Sequence, residues 1–174
     1  MDGFDFNSLK DYDVIAVNSA YKYLPNCKHI VALDSIFWER EYDKIIQHPA
    51  QKHTVKDYDN GFKFSALEAT KWGYGKNTGL SRPPFVSHGF NSAHTAINIA
   101  INLGYTDIRI LGMDLTEGYF YNKNAKHITA DYSHMVGKLE ILKSELPEHI
   151  KIVNYSEFSK SKAFERKPLT KIFE

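Results

Sequence analysis

The sequence predicts an α/β protein of the Rossmann-like type, with a mostly parallel sheet and helices on both of its faces. Several short apolar runs are rich in β-branched residues and show no alternation of polar and apolar side chains. Continuous apolar runs of this kind are typical of strands that are buried on both faces. The four clearest runs are residues 14–17, 30–33, 108–111 and 150–153. Helix-period segments lie between them, and this strand–helix–strand order favours right-handed crossovers in a doubly wound sheet.

Three segments have the apolar periodicity of α-helices, namely 35–47, 91–103 and 133–146. The second is the clearest, because its alanines and isoleucines form a wide apolar stripe and Gly104 suits a helix C-terminus. Ser35 is the predicted N-cap of the first helix, and Asn91 or Ser92 is that of the second. Two weaker strand candidates lie at 53–55 and 85–87.

The bulk composition favours one domain, residues 1–174, in a reducing compartment. A chain of 174 residues can bury one substantial core but is short for two. Its 22 lysines and arginines nearly balance 21 acidic residues, so nucleic acid is not an expected partner. The single cysteine cannot form an internal disulfide, and we find no signal-peptide pattern and no apolar stretch of membrane-spanning length. We therefore expect a cytoplasmic protein without a membrane span.

Residues 51–84 are predicted to form an irregular excursion from the sheet. This stretch contains several glycines, two adjacent prolines and polar aromatic residues, a composition typical of loops. We expect the excursion to cover a pocket.

The strongest site candidates follow the predicted strands or open the second helix. In an open α/β sheet, ligands bind beyond the carboxyl ends of the strands, where loops diverge and helix N-termini present free amide groups. The residues at these places are Asn18, Asp34, Asn91, Ser92 and Asp114. Each one alone is more simply explained as a cap or turn residue. Together they predict a binding site at one edge of the sheet.

These residue types favour an anionic ligand that carries hydroxyl groups. The small-residue turn before the second helix is suited to a phosphate or carboxylate, although it lacks the lysine and spacing of a Walker P-loop. Asp114 is placed either to accept ribose or sugar hydroxyls or to brace its own loop. His134 is the candidate general base. The alternative is that it is an exposed histidine without a catalytic role. No spacing of histidines and carboxylates indicates a metal site, and no G-x-S-x-G turn indicates a hydrolase.

A family resemblance is carried by GFNSAHTAINIAINLGYTDIRILGMDL at 89–115 and by SHMVG at 133–137. These segments resemble the bacterial sialyltransferases of the Campylobacter type and their bacteriophage-encoded glycosyltransferase-like relatives. They also resemble the archaeal 6-hydroxymethyl-dihydropterin pyrophosphokinase-like group. The phage-type relatives are similar to this chain at 3–38 and 153–169 as well. The resemblance therefore covers most of the sequence outside 51–82.

The resemblance implies a domain that binds a nucleotide-activated sugar, which is a CMP-sugar in the sialyltransferases. At the matching positions, Asn18 and Ser92 contact the donor nucleotide, and Tyr119 or Tyr121 holds the leaving phosphate. Such a transfer inverts the sugar centre without a metal or other cofactor, while a base deprotonates the acceptor hydroxyl. His134 is the residue in this sequence that is placed to act as that base.

Three departures from the family pattern support other functions. The family's first strand and Gly-x-Gly-Pro-Ser turn have no counterpart here, Ala93 replaces a glycine, and Lys138 replaces a histidine base. Lys138 is better suited to neutralising phosphate. One alternative is ATP-dependent diphosphate transfer with Mg²⁺ held by Asp34 and Asp114. Another is a catalytically degenerate nucleotide-binding or interaction module. A homo-oligomer would repair the missing sheet edge.

Overall fold

The computed structural model describes residues 3–55, 68–89, 91–115 and 132–174, which form a Rossmann-like α/β fold. The strands within these ranges are β1 (Ile15–Val17), β2 (His29–Val31), β3 (Gln51–Val55), β4 (Ala69–Tyr74), β5 (Phe85–Val86), β6 (Asp107–Ile110), β7 (Lys151–Asn154) and β8 (Glu165–Arg166). The α-helices are α1 (Ser35–Ile45), α2 (Ser92–Asn102) and α3 (Ser133–Ser144).

The strands form two parallel sheets. The first has five strands in the order β1-β2-β3-β4-β5, and the second has three in the order β6-β7-β8. Every pairing between the described strands is parallel. Strands β1 and β6 each stand at the end of a sheet. Each therefore has one edge without a strand partner in the part of the chain that the structure describes.

Successive residues of the first sheet point to opposite layers, as pleated strands require. One face packs on α1 in a cluster that includes Ile30 and Trp38. The other face packs on α2 in a cluster that includes Val31 and Ile99. Because both faces are covered by helices, both sets of strand residues are apolar, and this explains the absence of alternation in the sequence.

The second sheet packs on α3 through an apolar cluster that includes Leu139, Leu142 and Ile152. Helix α2 contributes Ile97 to the same cluster, while its Ile99 belongs to the cluster under the first sheet. Helix α2 therefore contacts both sheets. No helix within the described ranges has the length and apolar character needed to cross a lipid bilayer.

The first sheet also buries a polar group of three residues. His53 in β3 is fully buried, and its Nδ1 accepts a hydrogen bond of 3.0 Å from the indole N–H of Trp72 in β4. Its Nε2 lies 3.0 Å from Nδ1 of His29 in β2. Since an indole nitrogen can only donate, neutral His53 carries its proton on Nε2 and donates it to His29. Burial lowers the pKa of His53 to about 4.

The predicted fold class is confirmed, and the four strong strand predictions each correspond to a strand whose ends differ by one or two residues. The weaker candidates at 53–55 and 85–87 correspond to β3 and β5. The predicted second helix is capped by Asn91, as expected. Asp34 instead occupies the N-cap position of the first helix, without a side-chain capping hydrogen bond, and Ser35 is its first helical residue.

The prediction of an irregular excursion at 51–84 is wrong for residues 51–55 and 69–74, which form β3 and β4 of the first sheet. Strand β4 was not predicted because the sequence ATKWGY contains a glycine, a residue that is uncommon inside strands. Gly73 is needed there for close packing, since a Cβ atom at this position would lie 2.6 Å from Cδ1 of Phe85 in β5. A glycine in a strand therefore marked a tight contact between neighbouring strands and not a loop.

Candidate functional site

A cavity of about 650 Å³ lies between the open edges of β1 and β6, and we call it the cleft. Residues of β1 line one side, residues 107–111 line the other, and α2 contributes Ala96 and Ala100. The carboxyl ends of both strands and the first residues of α2 meet at one end of the cleft. Its volume falls in the range of small-molecule sites, about 300 to 1,000 Å³.

The five residues predicted from the strand ends all line the cleft, and we call them the polar rim. They are Asn18, Asp34, Asn91, Ser92 and Asp114. Asn18 directly follows β1, Asn91 and Ser92 open α2, and Asp114 follows β6 after a short turn. Parallel strands place their carboxyl ends at the same edge, and this is why residues distant in sequence share one rim.

Asn18 is held in an unusual backbone conformation at the end of β1. Its φ is 51°, in the left-handed region that asparagine tolerates better than most residues. Its side-chain Oδ1 is buried and has no hydrogen-bond partner among the described residues. Leaving a buried acceptor unpaired costs about 1 to 3 kcal/mol. A ligand that donates a hydrogen bond to Asn18 would remove this cost.

Asn91 shapes the start of α2. Its Oδ1 accepts a hydrogen bond of 2.7 Å from the backbone N–H of His94, as an N-cap should. Its Nδ2 is buried without a partner in the described part of the chain. The backbone N–H of Asn91 donates to the carbonyl oxygen of His88. The N–H groups of Ser92 and Ala93 are therefore the two in the first turn that have no partner among the described residues.

Two carboxylates complete the polar rim. Asp34 is exposed, and its side chain makes no capping hydrogen bond to α1. Asp114 is half-buried, and its backbone carbonyl accepts a hydrogen bond of 2.9 Å from the N–H of Lys160. This bond fixes the loop while the carboxylate stays on the cleft. Both side chains are suited to accepting hydrogen bonds from hydroxyl groups.

The structure does not place His134 and Lys138 among the residues that line the cleft. His134 is exposed in the first turn of α3, although its neighbours Tyr132 and Met135 line the cleft. Lys138 Nζ lies 3.5 Å from the carbonyl oxygen of Asn77. The predicted phosphate ligands Tyr119 and Tyr121 lie outside the described residues.

Sequence reasoning missed the residues at the opposite end of the cleft. The hydroxyl of Tyr105, before β6, donates a hydrogen bond of 2.8 Å to Oδ2 of Asp13, before β1. Hydrogen bonds from Lys28 and Tyr105 hold the pKa of the Asp13 carboxyl below its usual range. Arg109 in β6 stacks 5.7 Å from the ring centroid of Tyr12. Tyr12, Asp13 and Tyr105 precede strands and Arg109 lies within β6, which are places where no ligand site was expected.

Metal binding finds no support in the described ranges, where no three histidine, cysteine or carboxylate side chains are grouped to hold an ion. The arrangement instead offers free amide donors, two unpaired amide atoms and two carboxylates around one cavity. These groups can bind an anion without a metal ion, together with the hydroxyl groups of the same ligand. Comparison of this chain with models of protein families, with curated proteins and with solved structures finds no match.

Proposed function

We propose that the polar rim binds a nucleotide-activated sugar of the CMP-sugar type and that the protein is glycosyltransferase-like. The observation that carries this proposal is a pair of buried amide atoms that have no partner among the described residues, Asn18 Oδ1 and Asn91 Nδ2, in side chains that line one cavity. One is an acceptor and the other a donor. A ligand with both kinds of group, such as a nucleobase and a phosphate, can pair with both atoms once the two side chains turn towards the cavity.

The parts of such a ligand match different parts of the polar rim. The phosphate is assigned to the start of α2, where the free N–H groups of Ser92 and Ala93 and the helix dipole favour negative charge. Ribose or sugar hydroxyls are assigned to the carboxylates of Asp34 and Asp114, which repel a second phosphate. This distribution favours a nucleoside monophosphate sugar over a triphosphate and requires no metal ion.

His134 is the base in this proposal. In sequence it lies between Tyr132 and Met135, both of which line the cleft, and we assign its exposed imidazole to an acceptor bound beside the cleft. A histidine has the appropriate basicity to deprotonate a sugar hydroxyl near neutral pH.

Calorimetric titration with CMP and with CMP-N-acetylneuraminic acid tests the binding step. Asn18→Ala should weaken CMP binding by about tenfold, because it removes one hydrogen bond made in a buried site. The matched control is Asn26→Ala, an exposed asparagine that does not line the cleft, and it should bind as the unchanged protein does. Equal affinity in Asn18→Ala, or no binding of either nucleotide, contradicts the proposal.

A second measurement separates catalysis from binding. His134→Ala should abolish release of CMP from the donor in the presence of acceptor sugars while leaving calorimetric CMP binding within about twofold. Turnover that instead requires ATP and Mg²⁺ would indicate diphosphate transfer and exclude the glycosyltransferase assignment.

A further inference from the structure

We propose that the cleft between β1 and β6 receives a β-strand from a protein other than this chain, which pairs with both edges and joins the two sheets into one. This inference concerns the apolar body of the cleft and does not depend on nucleotide binding at the polar rim. It is based on the directions of the backbone groups, the side chains that line the cleft and its position between two sheet edges.

The free edge of β6 presents backbone groups to the cleft at alternate residues. The N–H of Lys151 donates to Thr106 O at 2.7 Å, and that of Tyr155 donates to Ile110 O at 2.8 Å. In a parallel strand, the N–H and C=O of one residue point to one side and those of the next residue point to the other. The backbone groups of residues 106 and 110 point towards β7. Those of Asp107 and Arg109 therefore point into the cleft.

The same reasoning applies to β1. The carbonyl of Val14 accepts a hydrogen bond of 3.3 Å from the N–H of His29 in β2. The backbone groups of residues 14 and 16 therefore point towards β2. The backbone groups of Ile15 and Val17 therefore point into the cleft. Two strand edges whose donors and acceptors have no strand partner among the described residues thus face one cavity, and both strands contribute residues that line it.

Both edges run in the same direction. Tyr105 and Asp13, which are joined by a hydrogen bond of 2.8 Å, precede β6 and β1. Asn18 and Asp114, which follow these strands, lie together at the polar rim. A strand that runs parallel to β1 is therefore also parallel to β6, and it continues the pairing found throughout both sheets.

The side chains around the cleft define the chemistry of the occupant. On one face α2 presents the small residues Ala96 and Ala100, and on the other lie Leu9 and Ile172. An occupying strand therefore carries apolar side chains on both faces, with about four residues to match the length of β6. A small apolar molecule would fill the space but would leave the backbone groups of both edges unpaired.

A synthetic peptide of sequence Lys-Val-Val-Ile-Val-Gly-Gly, labelled on its lysine, is the probe for this proposal. Fluorescence anisotropy with the whole chain should show saturable binding at peptide concentrations up to about 1 mM. Amide exchange measured by NMR should slow by about tenfold or more at Ile15, Val17 and Arg109. The matched control is the same peptide N-methylated at two alternate valines, which should bind at least about tenfold more weakly.

A variant of the chain tests the same edge. Ile15→Pro removes an N–H group that points into the cleft but none that pairs with β2, and edge strands tolerate such a proline. It should weaken peptide binding by about tenfold, whereas Ile36→Ala, at an exposed apolar residue outside the cleft, should not. Should Ile15→Pro fail to fold, the comparison of the two peptides still decides the question.

Three results would overturn the proposal. Equal binding of the N-methylated peptide means that the cleft buries side chains without pairing strands. Protection of the Ile15 and Val17 amides in the absence of peptide, together with a dimer in sedimentation, means that a second copy of this chain is the occupant. Absence of both binding and protection at 1 mM peptide means that the cleft does not accept a strand.

Discussion

The two sheets differ in the titratable side chains that they bury. Between β2, β3 and β4 the first sheet holds His29, His53 and Trp72 in a chain of hydrogen bonds. The layer between the second sheet and α3 is an apolar cluster in which Leu139 and Leu142 are fully buried. Hydrogen bonds between particular atoms add to apolar packing in the first sheet, whereas the packing of the second sheet on α3 is by burial of apolar surface. The two regions should therefore respond differently to pH.

The largest expected effect is on the second sheet. Leu142→Ala should lower the free energy of unfolding by about 3 to 4 kcal/mol, because it leaves a cavity in a fully buried cluster. Urea denaturation should give the same loss at pH 7 and pH 5, since the substitution removes no titratable group. The adjacent Ile141 is 43% exposed, and Ile141→Ala should cost less than about 1 kcal/mol. A loss that changes between the two pH values would contradict the contrast between the sheets.

Acid should act mainly on the first sheet. The pKa of His53 is about 4 in the folded protein and about 6.5 in an unfolded chain. As the pH falls, the unfolded state therefore binds the proton at a higher pH than the folded state does. The contribution of neutral His53 to stability is complete above pH 6.5 and is lost as the pH falls towards 4. The contribution of His53 to this loss is about 3 kcal/mol.

The variant His53→Gln tests this assignment, because glutamine can accept the Trp72 N–H and donate to His29 without titrating. Its stability should fall by about 3 kcal/mol less than that of the unchanged protein between pH 6.5 and pH 4. The exposed His149 provides the control, since His149→Asn should leave the acid dependence as it was. Identical acid curves for His53→Gln and the unchanged protein would assign the effect to other groups.

A smaller effect is expected at the entry to α2, the helix that both sheets share. Gly89 has a φ of 52°, and a Cβ atom there would lie 2.4 Å from Cγ of His94. Gly89→Ala should therefore cost about 2 kcal/mol in thermal or urea unfolding. Gly104, at the other end of the helix, also has a positive φ but has no atom within 4 Å of the Cβ position. Gly104→Ala should cost only about 1 kcal/mol, and equal losses would show that packing on His94 is unimportant.

The parts of the fold that were predictable from sequence are those with a local signal. Buried parallel strands appear as apolar runs, and the start of α2 carries Asn91 as a recognisable cap. The polar rim was predictable for the same reason, because residues that follow parallel strands must share an edge. Asn18 and Asp114 are 96 positions apart, yet each could be placed by its own strand alone.

The rest depends on contacts between distant segments. Strand β4 was missed because the packing of Phe85 on Gly73 is not visible in either segment alone. The cleft exists because no strand of the described ranges lies between β1 and β6, whose sequence patterns are those of ordinary buried strands. The position of His134 on the exposed side of α3 depends on how that helix rotates against the second sheet, and α3 has no strong apolar stripe that would fix this rotation.

The shared position of α2 has a consequence for how the molecule melts. Ile97 is buried under one sheet and Ile99 under the other, so separating either sheet would expose one flank of this helix to water. Neither sheet can then lose its structure without weakening the support of the other. Scanning calorimetry should accordingly show one endotherm, with a van't Hoff enthalpy close to the calorimetric enthalpy.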